Sequence, residues 1–282
     1  MQDVANSFLG RTSVFAFLLI LFFLPYKEGI SGEIYRSNLH DFKVIKIADG
    51  LFFPWGLEFL PNGKFLVTER SGDLRIISQD GKVSRLVYGL PDVSVTGQGG
   101  LMDVSLHPDY LVNSLVYFSF VSGNNGKYGT EVVRGKLEGD QLTDTRVIFR
   151  AMPKFKGGRH FGSRLSFLSD QTLLVSLGDR GHRPNGQNLE THPGSVIRIT
   201  DTGGTPEDNP FIHKDSTLPE IYTYGNRNVQ GLFADKLSGQ VWATEHGPQG
   251  GCELNLLRSG KNYGWADITF GKNYITGTKI GV

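Results

Sequence analysis

The sequence of 282 residues contains a single cysteine, Cys252, and no Cys-x-x-Cys-His motif. One cysteine excludes an intramolecular disulfide, and the missing motif excludes covalent attachment of a c-type haem. The formal net charge is only +1, and no run of lysines and arginines interleaved with aromatics occurs. Because nucleic-acid-binding surfaces are strongly basic, the sequence gives no indication of a nucleic-acid partner.

Three short motifs of common enzyme classes are also missing. The sequence has no Gly-x-Gly-x-x-Gly after a strand and no Walker loop, which argues against nicotinamide and ATP chemistry. It has no Gly-x-Ser-x-Gly elbow, which argues against an esterase of the α/β-hydrolase type. Any catalytic site must therefore use other residues.

Long hydrophobic runs are missing as well. The longest unbroken apolar run, Val14 to Leu24, has eleven residues, whereas a membrane-spanning helix needs about 20. That length is typical of a signal-peptide core, and Arg11 supplies a basic flank, although Asp3 dilutes the positive charge. We expect residues 1–32 to be a signal peptide or N-terminal hydrophobic segment, with a periplasmic or secreted protein and no stable membrane span. A buried helix and an uncleaved anchor are the alternatives.

Glycine is abundant, with 37 residues, and punctuates a recurring pattern. Four units each begin with a small residue and a leucine, continue as an alternating strand, turn at polar residues, and end in a second alternating strand. The leucines are Leu57, Leu101, Leu165 and Leu232, separated by 44, 64 and 67 residues. Alternation with turns predicts half-buried strands, and repeats of this size predict the blades of a β-propeller. A β-sandwich with insertions is the alternative.

The fold class that we expect is therefore all-β, with about four propeller blades in residues 33–282. A closed ring of four blades would leave the tail "NYITGTKIGV" unexplained. Part of a larger ring fits the pattern better.

Two polar stretches lie just before predicted strands, where the loops of a propeller carry sites. Gln98 lies between glycines in "TGQGGLMDV", and His160 lies in "GGRHFGSRLSF". A histidine titrates near neutral pH and is suited to act as a general base. Gly157, Gly158 and Gly162 leave room for a ligand to approach the backbone.

Two further stretches carry polar chemistry. In "YGNRNVQGL", Arg227, Asn228 and Gln230 fall within four residues, and arginine donors suit a carboxylate or a developing oxyanion. In "EHGPQGGCELNLLRSGKNYGW", oxygen atoms suited to Ca²⁺ come from Gly247, Pro248, Glu253 and Tyr263. His182 and His246 lack paired metal-ligand spacing, and we interpret them as non-ligands.

Six stretches stand in one order along the chain: "GQGGLMDVSLHPDY", "HFGSRLSF", "LGDRG", "TPEDNPF", "YGNRNVQGL" and "EHGPQGGCELNLLRSGKNYGW". Together, over roughly Phe42 to Tyr274, they resemble the soluble aldose sugar dehydrogenases of the glucose/sorbosone dehydrogenase family, which use pyrroloquinoline quinone (PQQ). The resemblance implies a six-bladed propeller with PQQ and calcium in a cleft on one face. It also implies oxidation of an aldose at its anomeric carbon to a lactone, in the periplasm, with electrons passed to an external acceptor.

The resemblance also implies a role for each matching residue. His160 would be the general base, and Arg227 would stabilise charge on the reduced quinone oxygen. The residues matching PQQ contacts are Gln98, Arg227, Asn228, Gln230 and Tyr274. The residues matching calcium ligands are Gly247 and Pro248 at the cofactor, and Glu253 and Tyr263 at a second, structural site.

The sequence departs from the family pattern at several places. Val229 stands where many members have proline, Cys252 where aspartate is usual, and Arg159 where relatives have a smaller polar or acidic residue. Arg159 would pair with a cofactor carboxylate or narrow the sugar pocket. The family's lysine and pair of arginines that neutralise PQQ lie in later blades, and we expect a C-terminally truncated member that lacks them.

Two other functions stay open from the residues alone. A calcium-dependent lactonase on a similar propeller would need a central site rich in carboxylates, for which Asp103, Asp179 and Glu245 are the strand-adjacent acids. A non-catalytic propeller that binds sugar or protein would need none of the polar stretches. The sequence does not predict the sugar, the natural acceptor or the oligomeric state.

Overall fold

The computed structural model describes residues 33–282, which fall into two units that divide between Lys46 and Ile47. In the first unit, β1 (Ile34–Tyr35) pairs antiparallel with β2 (Phe42–Lys43), and the rings of Tyr35 and Phe42 stack at 5.5 Å. The predicted signal peptide lies outside the described residues. Across residues 33–282, no helix is long and apolar enough to cross a bilayer.

The second unit consists of four antiparallel sheets, each built from strands that are consecutive in the chain. The first sheet contains β3 (Pro54–Phe59), β4 (Phe65–Glu69), β5 (Leu74–Ile77) and β6 (Val83–Leu86). The second contains β7 (Leu101–Leu106), β8 (Leu115–Asn124), β9 (Lys127–Glu138) and β10 (Gln141–Arg150), with β11 (Phe155–Lys156) paired to β9. The third contains β12 (Leu165–Phe167), β13 (Leu173–Ser176), β14 (Ser195–Ile199) and β15 (Ile221–Tyr224), and the fourth contains β16 (Val229–Ala234), β17 (Val241–Glu245) and β18 (Glu253–Leu257).

Helices are short in the described part of the chain. A single turn, α1 (Tyr110–Asn113), connects β7 to β8, and a 3₁₀ helix (Arg183–Gln187) lies between β13 and β14. The prediction of an all-β fold with four propeller blades is therefore confirmed, because each sheet has the meander order of a blade.

The four repeated leucines mark the first strand of each blade. Leu57, Leu101, Leu165 and Leu232 lie in β3, β7, β12 and β16. The unequal spacing has two causes. The second blade has three strands of 10, 12 and 10 residues, and the third blade carries long connections on both sides of β14.

The core lies between neighbouring blades rather than inside any one of them. Strand β8 shows this directly, since Phe118 packs toward the first blade and Tyr117 toward the third. Leu174 and Val196 of the third blade pack on Ala243 of the fourth. Full burial of a large apolar side chain such as Phe118 stabilises the folded state by roughly 1.5–3 kcal/mol. The stability of each blade therefore depends on the blades that cover its faces.

The fourth blade exposes its other face. Phe233, Trp242 and Leu254 are 61%, 36% and 68% exposed, and Phe233 is the register partner of Trp242. No sheet of residues 47–282 covers this face.

The first strands of the four blades converge on a cavity of about 340 Å³. Its charged lining includes Asp103 and Arg164, which form an ion pair at 3.0 Å, and the Arg164 guanidinium also stacks on Trp55. Burial raises the pKa of Asp103, with Arg164 opposing that shift. Convergence of first strands defines the propeller axis, so loops that precede these strands meet at one end of it.

Candidate active site

Five loops meet at the end of the propeller where the first strands begin, which we call the site end. They are residues 96–100 before β7, 157–162 before β12, 177–183 after β13, 225–228 before β16 and 246–251 after β17. Because β13 and β17 run antiparallel to the first strands, their trailing loops reach the same end as the loops that precede β12 and β16. Each of the four polar stretches singled out in the sequence supplies one of these loops, and the loop after β13 is the fifth.

The centre of the cluster is a histidine–aspartate pair. The Nδ1 atom of His160 lies 2.6 Å from Oδ1 of Asp179, and the two side chains are 11% and 1% exposed. Asp179 also accepts hydrogen bonds from the backbone N–H of Gly181 at 2.6 Å and from Nε1 of Trp265 at 2.8 Å. With Nδ1–H directed to Asp179, the imidazole presents Nε2 as its basic nitrogen.

The backbone of His160 is held in an unusual conformation. Its φ angle is +51°, in the left-handed region that non-glycine residues seldom adopt. Its N–H donates to Oε1 of Gln98 at 2.8 Å, and its carbonyl lies so close to Gly178 that a Cβ there would stand 2.2 Å from the oxygen. Such a conformation persists only where the surroundings determine it, and it is common at functional sites.

Arg180 fixes the loop on either side of His160. Its guanidinium donates to the carbonyl of Gly157 at 2.6 Å and to the carbonyl of Arg159, and it lies 3.5 Å from the centre of the Phe161 ring. Burial lowers the pKa of Arg180 to about 10, and neighbouring Asp179 opposes that shift. Asp179 and Arg180 are adjacent in the chain, so one segment orients both the imidazole and its loop.

Arg227 lies beside this pair. Its Nη1 donates to the carbonyl of His246 at 2.9 Å, and its guanidinium carbon is 5.5 Å from the Trp265 ring. Its carbonyl accepts the N–H of Asp179 at 2.8 Å, which connects the loop before β16 to the histidine–aspartate pair.

The buried carboxylate of Glu245 organises the backbone around Arg227. It accepts the N–H groups of Arg227 and Asn228 and the side-chain amide of Asn226 at 2.9 Å. Burial raises the pKa of Glu245 to about 7, an effect that these hydrogen bonds oppose and the nearby Glu253 adds to.

Asn228 and Gln230, both predicted cofactor contacts, make protein contacts here. Oδ1 of Asn228 accepts the N–H of Gly162 at 3.1 Å, and Nε2 of Gln230 donates to the Gly162 carbonyl at 3.0 Å. The two side chains thus hold Gly162, two residues after His160. Their cofactor role stays a prediction.

The predicted calcium loop is tightly folded. A Cβ on Gly247 would stand 2.3 Å from the carbonyl oxygens of both Gly250 and Gly251, so only glycine fits there. Gln249 forms an antiparallel bridge with Lys272, which ties the loop to the chain that follows. Closely grouped carbonyl oxygens are the ligand type that Ca²⁺ takes. That Gly247 and Pro248 supply ligands stays a prediction.

Glu253 and Tyr263, the predicted second calcium site, have separate contacts. Glu253 is the cross-strand partner of Glu245 and accepts a hydrogen bond from Asn255 at 3.0 Å. The Tyr263 hydroxyl donates to the carbonyl of Leu256 at 2.7 Å. Among residues 33–282, no three His, Cys, Asp or Glu side chains gather into a metal site, so a calcium ion here would depend mainly on carbonyl oxygens.

Tyr274, predicted to contact the cofactor, is 66% exposed. Its neighbour Asn273 accepts a hydrogen bond from Arg183 at 2.6 Å, and the Arg183 guanidinium lies 6.0 Å from the Trp265 ring. The structure thus connects the Tyr274 loop to the site through Asn273, while the cofactor contact itself stays a prediction.

Several residues of this cluster were not predicted from the sequence to belong to the site. The sequence analysis considered Asp179 and Glu245 only as acids for a lactonase. It assigned no role to Arg180 or Trp265, which lie within the "LGDRG" and "GKNYGW" motifs. The motifs were the available signal, but spacing alone does not show that Trp265 reaches a carboxylate 86 positions earlier.

The three acids that a lactonase would need are engaged separately. Asp103 pairs with Arg164, Asp179 with His160, and Glu245 with amide groups. This arrangement does not favour the hypothesis of a calcium-dependent lactonase.

Comparison with known proteins gives one family. The glucose/sorbosone dehydrogenase profile matches residues 51–282. Aldose sugar dehydrogenase YliI of Escherichia coli (strain K12) is 44% identical over 238 residues, covering 83% of this chain and 64% of that protein. The soluble aldose sugar dehydrogenase of Escherichia coli in its apo form superposes with a TM-score of 0.78 at 41% identity, covering 83% of this chain and 72% of that one. The PQQ-bound aldose sugar dehydrogenase of Streptomyces coelicolor gives a TM-score of 0.70 at 32% identity, covering 89% and 70%.

The chain spans 64% of the length of two curated relatives, YliI and an uncharacterized protein of Synechocystis, each 44% identical to it. The family profile covers all four blades and every loop of the site end. The protein therefore belongs to the glucose/sorbosone dehydrogenase family.

Proposed function

We propose that the protein oxidises aldose sugars at the anomeric carbon, with PQQ as cofactor and an external electron acceptor. The observation that carries the proposal is the contact of 2.6 Å between Nδ1 of His160 and buried Asp179. It fixes the tautomer in which Nε2 is basic, and Nε2 makes no hydrogen bond within the described residues. A ring nitrogen held in this way is suited to take a proton from a sugar hydroxyl.

The residues at the site end fit a planar, negatively charged cofactor. Arg227 and Arg183 flank the Trp265 ring, and a side chain added at Gly157 would meet nothing within 4 Å. The site therefore offers cationic groups and open space on the same side as His160. By family resemblance, Gln98, Arg227, Asn228, Gln230 and Tyr274 would hold PQQ.

The chemistry divides between cofactor and protein. PQQ, when bound, would supply the two-electron oxidant that removes hydride from C1 of the sugar. His160 Nε2 takes the proton of the C1 hydroxyl, so that oxidation at C1 leaves a lactone. Asp179 stabilises the imidazolium that results, and the Arg227 guanidinium would stabilise negative charge that develops next to it.

Calcium belongs to the same proposal. Carbonyl oxygens of Gly247 and Pro248 would hold an ion at the cofactor, and Glu253 with the Tyr263 carbonyl would hold a second. The close packing of loop 247–251 supports a site built from backbone oxygens. Prolonged chelation should abolish dye-reducing activity of the PQQ-loaded complete protein, and Ca²⁺ should restore it. Undiminished activity in chelator, with no calcium by elemental analysis, would remove these four residues from the site.

A location outside the cytoplasm is the last part of the proposal, and it rests on the apolar run at residues 14–24. N-terminal sequencing of the protein from cell fractions tests it. Protein in the cytosolic fraction that begins at Met1 would contradict export.

The central test replaces His160. In the complete protein loaded with PQQ and calcium, His160→Ala should lower turnover with glucose at least about 100-fold, the usual scale for losing a general base. PQQ binding, followed by absorbance titration, should persist because Arg227 is intact. The matched control is His213→Ala, an exposed histidine on a loop of the third blade. Near-normal turnover in the His160 variant would overturn the proposed role.

A further inference from the structure

The exposed cations around His160 have no carboxylate partners. Lys127, Lys156, Arg159 and Arg183 are all exposed and form no ion pair within residues 33–282. Asp179, the acid that contacts His160, is buried and engaged with three donors. The mouth of the site therefore carries uncompensated positive charge.

Several arginines elsewhere in the described chain do form ion pairs. Arg75 pairs with Glu69, Arg134 with Asp201, and Arg198 with two aspartates. A local surplus of cations at a concave site favours an anionic ligand, because the field of the whole cluster acts on it.

The position of Arg159 is well defined although its side chain is exposed. Its carbonyl is held by Arg180, and its Cβ and Cδ atoms lie 3.9 Å from the point where a side chain on Gly181 would begin. The N–H of Gly181 donates to the same oxygen of Asp179 that His160 contacts. The stem of Arg159 therefore runs beside the histidine–aspartate pair, and its guanidinium is free to meet a ligand there.

Two lysines extend the positive surface outward. Lys127 of β9 and Lys156 of β11 are direct cross-strand partners, and Lys156 precedes Gly157 in the His160 loop. Like charges opposite each other on a sheet are destabilising. A bound anion would offset that repulsion, so the lysine pair is consistent with an anion-binding site.

We propose that the sugar oxidised at this site carries an anionic group, a carboxylate or a phosphate, away from its anomeric carbon, and that Arg159 binds that group. The inference rests on the proposed function and specifies its substrate class. Guanidinium is suited to both anions because it donates two parallel hydrogen bonds to either. Arg159 directly precedes His160, and Lys156 lies in the same loop region, so a sugar with C1 at Nε2 of His160 would bind next to these cations.

The experiment compares three sugars that differ only at C6: glucose, glucuronate and glucose 6-phosphate. In the complete protein loaded with PQQ and calcium, kcat/KM for one or both anionic sugars should exceed that for glucose at least about tenfold. Arg159→Gln should lower that ratio at least about tenfold, a difference of roughly 1.4 kcal/mol, and Arg159→Lys should retain more of it. The matched control Arg85→Gln, an exposed arginine on β6 of the first blade, should keep the wild-type ratio. Whichever anionic sugar is preferred identifies the source of the anion.

A binding measurement separates recognition from chemistry. Methyl β-glucuronide and methyl β-glucoside lack the oxidisable hydroxyl, so isothermal titration calorimetry can follow their binding without turnover. The glucuronide should bind with the lower Kd, and added salt should reduce that advantage by screening. Arg159→Gln should abolish it.

Equal kcat/KM for glucose and both anionic sugars, or a ratio unchanged in Arg159→Gln, would overturn the inference. So would a weaker affinity for PQQ in Arg159→Gln with an equal loss toward all three sugars, since Arg159 would then serve the cofactor. If none of the sugars reduces a dye, the proposed function itself fails, and the calorimetric comparison of the two glycosides then decides the anion site alone.

Discussion

Two clusters of charged residues in the third blade and its neighbours differ in one respect. Around Arg198, on β14, each nitrogen of the guanidinium has an acceptor: Asp170 at 2.6 Å, Asp208 at 2.8 Å and Thr172 at 2.9 Å. At the site end, Arg159 and Arg183 have no carboxylate, and Arg227 donates to a backbone carbonyl. The first cluster is complete within the chain, whereas the second has capacity left for a ligand.

The carboxylates of the two clusters differ in the same way. Asp170 is partly buried, which opposes ionisation, but hydrogen bonds from Thr172 and Arg198 lower its pKa. Glu245 at the site end has only amide donors, and burial raises its pKa to about 7. Charge that is paired inside the protein stabilises the fold, and charge left unpaired is available for chemistry.

The largest effect that separates the clusters is expected at Asp179. Asp179→Asn in the complete PQQ-loaded protein should lower turnover on the order of 100-fold, because an amide cannot accept from both His160 and Trp265 and also fix the imidazole tautomer. Steady-state kinetics measures the loss, and a thermal melt checks that the variant is folded. Turnover within a few-fold of wild type would show that the contact with His160 is structural.

A second effect should appear in the pH dependence of stability, through Glu245. Its pKa is about 7 when folded and 4.5 as the ordinary value, so the folded state binds the proton more tightly. The stabilisation is complete below pH 4.5 and is lost as pH rises through about 7, amounting to about 2 kcal/mol between pH 5 and 7.

Glu245→Gln should flatten this part of the profile, measured as the free energy of unfolding in denaturant with chelator present so that only protons are exchanged. The matched control is Glu138→Gln at the exposed end of β9. If Glu245→Gln keeps the wild-type slope of the free energy of unfolding against pH, the titration belongs to another group.

The smallest effect should come from the completed cluster. Arg198→Met should lower the free energy of unfolding by about 1–2 kcal/mol, since the hydrogen bonds are lost but Asp170 and Asp208 remain solvated at 47% and 74% exposure. That corresponds to a decrease in Tm of a few degrees for a protein of this size. Sugar oxidation should be unaffected at a temperature where the variant is folded. A loss of turnover comparable to that of Asp179→Asn would remove the distinction between the two clusters.

The local part of the structure could be predicted from the sequence. Alternation of apolar and polar residues between turn signals placed the four first strands, because a half-buried strand requires that period. The same pattern placed Gln98, His160 and Arg227 just before first strands, and these residues do meet at the site end. The order of motifs gave the family.

Long-range contacts were decided only by the tertiary structure. Asp179 meets His160 because β13 returns antiparallel to β12, and Trp265 meets Asp179 because the fourth blade packs beside the third. Hydrophobic periodicity reports which face of a strand is buried but not which loops become neighbours. The sequence by itself determined the blades and the residue types of the site, whereas the packing of one blade on the next decided which of those residues touch, since inter-blade burial sets the relative position of the loops.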